Sequence, residues 1–509
     1  MRRPLIVTRA NLVGKTITEE QGYRANWVLP VFRRIESYET IARVGAANFF
    51  RDYQPDLVIL DEAHACKNRQ ASTTRRIWRY LHARECGACA AAKTPCPPHH
   101  PKGADVPLIV LTGSPIGTSI RDTAHLVARA LGFRSPLPHH YDAIVEWAGA
   151  LDVGLQPARV FEPGALERFV GPGDADHREG VCRRILETPG VVTKRGAVVS
   201  IPIVVRSHVV EHDAAQTSAM RRLRDLGETP DGELAEDAMA IWRHAREIGL
   251  GFFSVWEPRP PREWLVARRA WHAICRDVLE TNRRDLDSAE QLARHLAAHP
   301  EHYPEAAEAW RAWKAVEPIY RRSVVARWIS DRTIEWVGRW IAEDDRPGLI
   351  WTDRPIFGER IREKLGIPYY GEEGVDPVSG RYIGTETRTC ATSARAGSTG
   401  HNLQAFSRNL CLSIPRSPIE WEQRIGRTHR PGQRAEQIDV DLLFGVREDV
   451  AAFAAAQEFA ANVASLTGAD QKLSSADCTR VLAPEDIHDS TEPRWRRSKS
   501  PGASFRDVR

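Results

Sequence analysis

Short, almost wholly apolar runs recur in the first part of the chain, and each ends at a polar or glycine-containing turn. Stretches with helical periodicity separate these runs, among them 71–83 and 121–131. Apolar runs between helices are typical of strands in a parallel sheet that helices cover on both faces. We therefore predict an α/β lobe over 1–215, with strands at Leu5–Thr8, Leu57–Leu60 and Leu108–Leu111.

The same pattern returns after residue 335. We predict a second α/β lobe over 336–470, which includes a helix at Gly358–Leu365. Its predicted strands are Leu349–Trp351, Thr387–Thr392, Leu410–Ile414 and Val440–Phe444. The predicted fold class is therefore α/β, with two lobes that each contain a parallel sheet.

The residues between the lobes, 216–335, have a helical pattern and are rich in tryptophan. Prolines interrupt this pattern twice, at 258–261 and at 300–304. We predict a helical insertion whose tryptophans pack between helices rather than stack on nucleic-acid bases. The last segment, 471–509, is polar and contains Pro, Gly and Ser. It is predicted to be a tail that is disordered from about residue 480.

Composition narrows the class of protein. The chain has 509 residues, of which 42% are hydrophobic and 27% charged, and these values exclude a disordered chain or a collagen-like fibre. The net charge of +4 neither requires nor excludes nucleic acid. The apolar run near the N-terminus is too short for a signal peptide, and the most apolar long window, Val450–Leu466, contains Gln457 and Glu458. We expect no membrane association.

The cysteines indicate a reducing compartment and a metal site. Nine cysteines, mostly scattered through a large chain, disfavour a disulfide framework, so we expect the cytoplasm, of a bacterium or of a phage-infected host. Three of them cluster with a histidine in an insertion at 84–104 of the first lobe. Cys86, Cys89, Cys96 and either His99 or His100 have the spacing of a structural, tetrahedral Zn²⁺ site. The alternative is an exposed loop with incidental cysteines.

A pair of carboxylates follows the apolar run Leu57–Leu60. The run delivers Asp61, Glu62 and His64 to the carboxyl end of a strand, which is where ligands bind in open α/β sheets. One acid there can hold Mg²⁺ on nucleotide phosphates, and a second can orient or deprotonate the attacking water. The alternative is the start of a helix with Asp61 as its N-cap.

Three further motifs accompany these acids. Leu111–Pro115 and Ser393–Leu403 each follow an apolar strand. Gln423–Gln433 contains Arg424, Arg427 and Arg430, whose spacing places three guanidinium groups on one face of a helix. Arginine is the residue that stabilises charge on a transferred phosphoryl group. The alternative is a solvated basic helix face.

With these motifs in order, the sequence resembles superfamily 2 helicases, and within them the Snf2-type DNA translocases. Asp61-Glu-Ala-His64 resembles motif II, the DEAH box. The other resemblances are Pro4–Leu12 to motif Ia, Ile35–Thr40 to Ib, Thr112–Pro115 to III, Leu349–Asp353 to IV, Ser393–Leu403 to V and Gln423–Gln433 to VI. The tryptophan-rich middle is more similar to compact relatives from phages and bacteria than to the eukaryotic remodellers.

The resemblance implies two RecA-like lobes that couple ATP hydrolysis, with Mg²⁺, to movement on DNA. Asp61 would hold Mg²⁺ through ATP, and Glu62 would activate water. His64, Thr112, Gly113, Ser114, Gly397 and Gly400 would bind nucleotide or couple its state to DNA, while Gln423, Arg427 and Arg430 would act from the second lobe. Strand phosphates would be contacted by Ser37, Tyr38, Thr40, Ser393, Arg395 and Asn402. Binding to double-stranded DNA would be independent of base sequence.

One departure affects the activity. The family needs a glycine-rich phosphate loop, and the nearest candidate, Arg9–Thr16, has an arginine in place of the first glycine. We expect Lys15 not to be a phosphate-loop lysine and the chain to begin just after motif I. Two hypotheses remain open: a truncated but otherwise competent ATPase, or a chain without enzymatic activity. The second hypothesis covers either a catalytically inactive fragment or a subunit that only binds DNA or a partner chain that supplies motif I.

Overall fold

A computed structural model describes residues 3–30, 33–82, 106–113, 119–152, 163–193, 199–235, 237–281, 286–321, 323–371, 374–394 and 402–482. The strands are β1 (Pro4–Thr8), β2 (Arg34–Ser37), β3 (Leu57–Leu60), β4 (Leu108–Val110), β5 (Ile203–Val209), β6 (Phe252–Trp256), β7 (Val324–Trp328), β8 (Gly348–Thr352), β9 (Tyr369–Tyr370), β10 (Cys390–Ser393), β11 (Arg408–Cys411), β12 (Ile438–Phe444) and β13 (Asp477–Arg480).

The α-helices, in chain order, are α1 (Ala10–Tyr23), α2 (Tyr38–Ala42), α3 (Phe49–Tyr53), α4 (Ser72–Leu81), α5 (Ala124–Leu131), α6 (Tyr141–Leu151), α7 (His177–Glu187), α8 (Ala214–Leu226), α9 (Ala238–Gly249), α10 (Arg262–Thr281), α11 (Ala289–Ala298), α12 (Pro304–Val316), α13 (Arg332–Ala342), α14 (Pro355–Leu365), α15 (Pro418–Thr428), α16 (Arg447–Thr467) and α17 (Lys472–Ser475).

These elements form two compact units. The first unit contains 1–194, 258–323 and 465–468, and the second contains 195–257, 324–464 and 469–509. The boundaries of these units differ from the predicted boundaries of the two lobes and the insertion, which lay at residues 215 and 335. Strand β5 pairs in parallel with β12 over seven residues, so the chain enters the second sheet earlier than predicted. Strand β7 pairs antiparallel with β6, so the predicted helical insertion is not wholly helical and is divided between the units.

The first unit contains a four-stranded parallel sheet in the order β2-β1-β3-β4. Its strands are three to five residues long, and Leu5, Val7, Val58 and Leu60 have no solvent exposure. Because all four strands run in the same direction, their carboxyl ends lie at one edge of the sheet.

Helices α10, α11 and α12 complete the first unit with a core of their own. Trp271, Leu292 and Leu296 are buried in it, and the ring of Trp264 packs edge-on against Trp313. The prediction of packing between helices is confirmed for these tryptophans, whereas Trp256 and Trp328 lie on strands β6 and β7. A buried ion pair joins this core to α4: Asp287 lies 2.8 Å from Arg76.

The second unit contains a seven-stranded sheet in the order β13-β5-β12-β11-β8-β10-β9, and all of its pairings are parallel. Every residue of the central strands β8, β11 and β12 is buried, as expected for a sheet covered on both faces. The predicted α/β class with parallel sheets is confirmed. Residues 472–480, assigned to the tail by sequence, form α17 and the edge strand β13 instead, because β13 finds a partner in β5.

No helix in the described part of the chain is long and apolar enough to cross a membrane. The six cysteines within the described ranges carry free thiols, and five of them are buried.

Candidate functional site

The carboxyl ends of β1, β2 and β3 bring polar side chains together at one edge of the first sheet. The register pairs Thr8 with Ser37 and Val7 with Leu60, so Asp61 follows β3 at the level of Thr8. Strand β4 ends beside them, because Val110 pairs with Leu60. The segments predicted as motifs Ia, Ib, II and III therefore meet at one edge of this sheet.

Asp61 is held in place by residues of β1 and by the first residue of α2. Its Oδ2 accepts a hydrogen bond of 2.8 Å from the buried hydroxyl of Thr8, and its backbone carbonyl accepts one of 2.8 Å from Tyr38 Oη. Its backbone amide donates to the Val7 carbonyl. The alternative that Asp61 is a helix N-cap is wrong, because the following 3₁₀ turn, Ala63–Cys66, begins after Glu62 and has no side-chain cap.

Glu62 has a left-handed backbone conformation, with φ +51° and ψ +49°. Non-glycine residues rarely adopt this conformation, and among the described non-glycine residues only Gln54 also has a positive φ. The turn is stabilised by a hydrogen bond from the Ala63 amide to the Leu111 carbonyl. It leaves the Glu62 side chain about one-third exposed, with its carboxylate 3.4 Å from Nδ1 of His64. The Glu62 carboxylate is therefore accessible, while its backbone is held by the turn.

His64 is buried beneath these carboxylates and lies next to positive charge. Burial is the largest cause that lowers its pKa, and together with the nearby charges of Arg9 and Lys67 it brings this pKa to about 4. Nη2 of Arg9 lies 3.4 Å from Nε2 of His64. The imidazole is therefore neutral near pH 7, and it can accept a hydrogen bond from the guanidinium group.

The candidate phosphate loop, Arg9–Thr16, is not a loop. From Ala10 onward it forms the first two turns of α1, and Lys15 makes an ion pair of 3.6 Å with Glu19 one turn later. The start of this helix is held by Glu39, whose carboxylate accepts a hydrogen bond from the Ala10 amide. The prediction that Lys15 is not a phosphate-loop lysine is consistent with this helical conformation.

The predicted phosphate contacts of motif Ib have structural roles within the first unit. Ser37 Oγ accepts a hydrogen bond from the Thr40 amide and so caps α2. Tyr38 is buried, and its hydroxyl donates a hydrogen bond to the backbone carbonyl of Asp61. Thr40 is partly exposed. Of the three residues predicted to contact nucleic-acid phosphates here, it is therefore the one for which that prediction stands most directly.

The three arginines of motif VI do not share one face of a helix, which corrects that expectation. Arg424 is directed inward: it is 4% exposed, and its Nη1 donates to the Ser413 carbonyl at 2.5 Å. Arg427 and Gln423 lie on α15 and are partly exposed, whereas Arg430 lies beyond the end of this helix at Thr428. The roles of Gln423, Arg427 and Arg430 toward a nucleotide stay predictions.

Motif V is only partly described. Ser393 ends β10 and is buried, while Nδ2 of Asn402 donates to Oε1 of Gln404 at 2.9 Å. Thr112 and Gly113 follow β4. The remaining predicted site residues lie outside the described ranges: Ser114, Arg395, Gly397, Gly400, and the proposed zinc ligands Cys86, Cys89, Cys96 and His99.

Sequence reasoning missed three residues of this site. Thr8 bonds to Asp61, Arg9 lies beside His64, and Glu39 holds the start of α1. A signal existed for Thr8, because a polar residue that ends an apolar strand of a parallel sheet lies at the ligand-binding edge. No comparable signal existed for Glu39, whose position depends on the pairing of β1 with β2.

The donors at this edge are suited to a hard divalent cation. Asp61 and Glu62 offer carboxylate oxygens, which Mg²⁺ prefers, and both side chains are partly exposed. Carboxylates in this setting can hold a metal–phosphate complex and polarise a water molecule.

No protein-family model matches this sequence, and no curated protein matches it. Two solved structures to which the chain is similar are named as helicase or ATPase domains. One is the C-terminal part of the Fun30 ATPase domain, at 13% identity and a TM-score of 0.26, with 48% of this chain and 85% of that chain covered. The other is the Pyrococcus furiosus Hef helicase domain, at 13% identity and a TM-score of 0.35, with 89% and 88% covered.

Proposed function

We propose that this protein is an ATP-dependent DNA translocase of helicase superfamily 2, with Mg²⁺–ATP held at the Asp61–His64 edge of the first sheet. The observation that carries the proposal is the arrangement of Asp61 and Glu62. Two accessible carboxylates leave a buried parallel strand at its carboxyl end, and the Thr8 hydroxyl orients the first of them. Such an arrangement is suited to magnesium-dependent phosphoryl transfer, in which one carboxylate holds the ion and another group orients the attacking water.

In this proposal each residue of the edge has a distinct role. Asp61 binds Mg²⁺ on the nucleotide, and Glu62 orients and deprotonates the attacking water. Neutral His64 accepts a hydrogen bond from Arg9, so a change in the position of Glu62 can be transmitted to α1 through this contact. DNA would be bound through its phosphates, without base recognition.

A second candidate function is a DNA- or partner-binding subunit of a split ATPase. The observation in its favour is the outer edge of β4, with which no described strand pairs. Ile109 and Leu111, at this edge, are 43% and 48% exposed. An exposed apolar edge strand is a template for pairing with another strand. A further parallel strand there, followed by a glycine-rich loop, would bring a phosphate cradle to the same edge of the sheet as Asp61, on the far side of β4.

The decisive experiment measures ATP hydrolysis by the purified chain with and without double-stranded DNA. Under the first proposal, turnover is stimulated by DNA and falls at least ~100-fold in Glu62→Gln, because the water-activating carboxylate is lost. The matched control is Glu187→Gln, an exposed acid on α7, which should leave turnover unchanged. Full turnover in Glu62→Gln would remove Glu62 from the chemistry.

DNA binding separates the two candidates. If the wild-type chain binds duplex DNA but hydrolyses no ATP, the split-ATPase function is favoured. In either case, affinity for two duplexes of unrelated sequence should be similar and should fall steeply with salt. Arg430→Ala should reduce turnover while DNA affinity is retained; loss of affinity would instead assign Arg430 to the DNA contact.

A further inference from the structure

Three histidines and a glutamate meet in the helical part of the first unit, and none of them belongs to the candidate site. They are His295, His299, Glu301 and His302, within the sequence His-Leu-Ala-Ala-His-Pro-Glu-His. His295 lies on α11, His299 follows the last residue of this helix, and Pro300–His302 forms a 3₁₀ turn. Sequence reasoning noted only that prolines interrupt the chain here.

The ligand atoms of this cluster are close to one another. Oε1 of Glu301 lies 3.4 Å from Nδ1 of His299 and 3.7 Å from Nε2 of His302. Each of His299, Glu301 and His302 offers one ligand atom, and these three atoms lie within 4.8 Å of one another. A tetrahedral ion with bonds of about 2.0–2.1 Å has ligands separated by roughly 3.3 Å. The two separations are therefore close to those that a bound ion would impose.

His295 supplies the support that a metal-binding histidine requires. Its Nε2 lies 2.9 Å from Nδ1 of His302, and the two rings are stacked with centroids 5.0 Å apart. When His302 binds an ion through Nε2, its Nδ1 carries the proton and donates to His295. A partner of this type fixes the ring orientation and increases the basicity of the ligand.

The backbone of the cluster is fixed by elements that exist without an ion. The amide of His299 donates to the His295 carbonyl at 2.8 Å, and the amide of His302 donates to the His299 carbonyl at 3.2 Å. Helix α11 is anchored in the core through Leu292 and Leu296, which are 0% and 1% exposed. Little further ordering is therefore needed before an ion can bind.

We propose that His299, Glu301 and His302 bind one borderline transition-metal ion, with Zn²⁺ as the reference case, and that His295 is a positioning residue. Two imidazoles and one carboxylate favour Zn²⁺, Co²⁺, Ni²⁺ or Cu²⁺ over Mg²⁺ and Ca²⁺, which prefer oxygen ligands. The side chains of His299 and Glu301 are 54% and 64% exposed, so the fourth position faces solvent and the ion is exchangeable. The site contains no thiolate, so it is distinct from the predicted Cys86–His99 site.

The test uses the full chain, purified without a polyhistidine tag, with Zn²⁺ bound per chain measured by equilibrium dialysis. His299→Ala/His302→Ala should lose one ion per chain relative to wild type. The matched control, His139→Ala/His140→Ala, removes two exposed histidines and should lose none. Equal stoichiometry in wild type and in the His299/His302 variant would overturn the proposal and leave an ion-pair cluster.

A second measurement separates this site from the cysteine cluster. In a Cys86→Ser/Cys89→Ser background, Co²⁺ should still give the visible absorption of a nitrogen- and oxygen-ligated ion, without a thiolate charge-transfer band. That absorption should vanish when His299→Ala/His302→Ala is added, and its persistence would contradict the proposal. His295→Gln should keep the stoichiometry and weaken affinity by about 10- to 100-fold. An unchanged affinity would remove His295 from the site.

Discussion

This protein has one pair of acidic residues at the edge of the first parallel sheet and another pair inside the second. The two pairs differ in their exposure to solvent and in the groups that they contact. Asp61 and Glu62 follow the last residue of β3, are partly exposed, and contact a hydroxyl and an imidazole. Asp439 and Asp441 lie inside β12 and are 2% and 4% exposed. Arg206 contacts both, at 2.7 Å and 3.2 Å.

The position of an acid relative to the end of a strand explains this difference. Inside a buried strand a carboxylate must be paired, because an unpaired buried charge is costly. Asp441 accordingly accepts hydrogen bonds from His208 and from Trp340 Nε1. Although burial alone would raise its pKa, these donors and Arg206 lower it. Asp61 lies one residue past the end of its strand, where solvent reaches the carboxylate. Because water can solvate its charge, it needs no cationic partner and stays available to a ligand.

The largest expected effect is the difference in stability between a substitution of Asp441 and a substitution of Asp61. Asp441→Ala should lower the free energy of unfolding of the second unit by about 4 kcal/mol, because it leaves the buried Trp340 Nε1 without its acceptor and removes a carboxylate that His208 and Arg206 both contact. Asp61→Asn should cost about 1 kcal/mol or less, since the amide oxygen can still accept from Thr8. Hydrogen exchange of peptides from β12 and β3 measures each unit separately. Equal destabilisation by the two variants would contradict the contrast.

The first unit has a structural acid of its own, away from the strand end. Asp287 is fully buried and pairs with Arg76, whose guanidinium also donates to the Ile41 carbonyl. Asp287→Ala should therefore destabilise the first unit by about 3 kcal/mol, somewhat less than Asp441→Ala because Arg76 retains backbone acceptors. Denaturant unfolding followed by tryptophan fluorescence measures the loss. The control is Glu317→Ala, which breaks an exposed pair with Lys314 and should change stability by well under ~1 kcal/mol.

Acid should act on the first unit through His64. Its pKa is about 4 in the folded protein and about 6.5 when unfolded, so the unfolded chain binds the extra proton between these values. The stability that this residue contributes is present above pH ~6.5 and is lost as pH falls toward ~4, by at most about 1.4 kcal/mol per pH unit. His64→Gln should reduce this slope.

The measurement is the unfolding free energy of wild type and variant at several pH values across this window. The exposed His140→Gln provides the matched control. Asp152, whose pKa burial raises to about 6, opposes the trend in both proteins and so cancels in the comparison. A slope identical in wild type and His64→Gln would show that His64 does not titrate as its surroundings require.

The smallest expected effect concerns the hydroxyl beside Asp61. Thr8→Val keeps the shape of this buried side chain but removes its hydrogen bond, which should cost about 1 kcal/mol of stability. Thr8→Ser keeps the hydroxyl and isolates the effect of the lost methyl group. If thermal unfolding shows the serine variant to be the less stable of the two, packing rather than the hydrogen bond dominates at this position.

Much of the fold follows from local pattern. The runs Leu5–Thr8 and Leu57–Leu60 predicted β1 and β3 to within a residue, because strands that cross a buried sheet must be apolar throughout. Residues 203–209 were assigned to the first lobe, whereas β5 belongs to the second sheet, and β13 was not predicted at all. Their partners are distant in sequence, and no local property of Ile203–Val209 or Asp477–Arg480 specifies the sheet that they join.

The same division applies to the candidate site. The sequence by itself determined that Asp61 and Glu62 follow a buried strand, since apolar residues fill both faces of the sheet and the first acids after them must lie at its edge. Only the tertiary structure decided that Thr8 orients Asp61, that Arg424 is directed inward, and that His299, Glu301 and His302 converge. These contacts depend on strand register, helix ends and turns, and such features are set by packing between segments rather than within them.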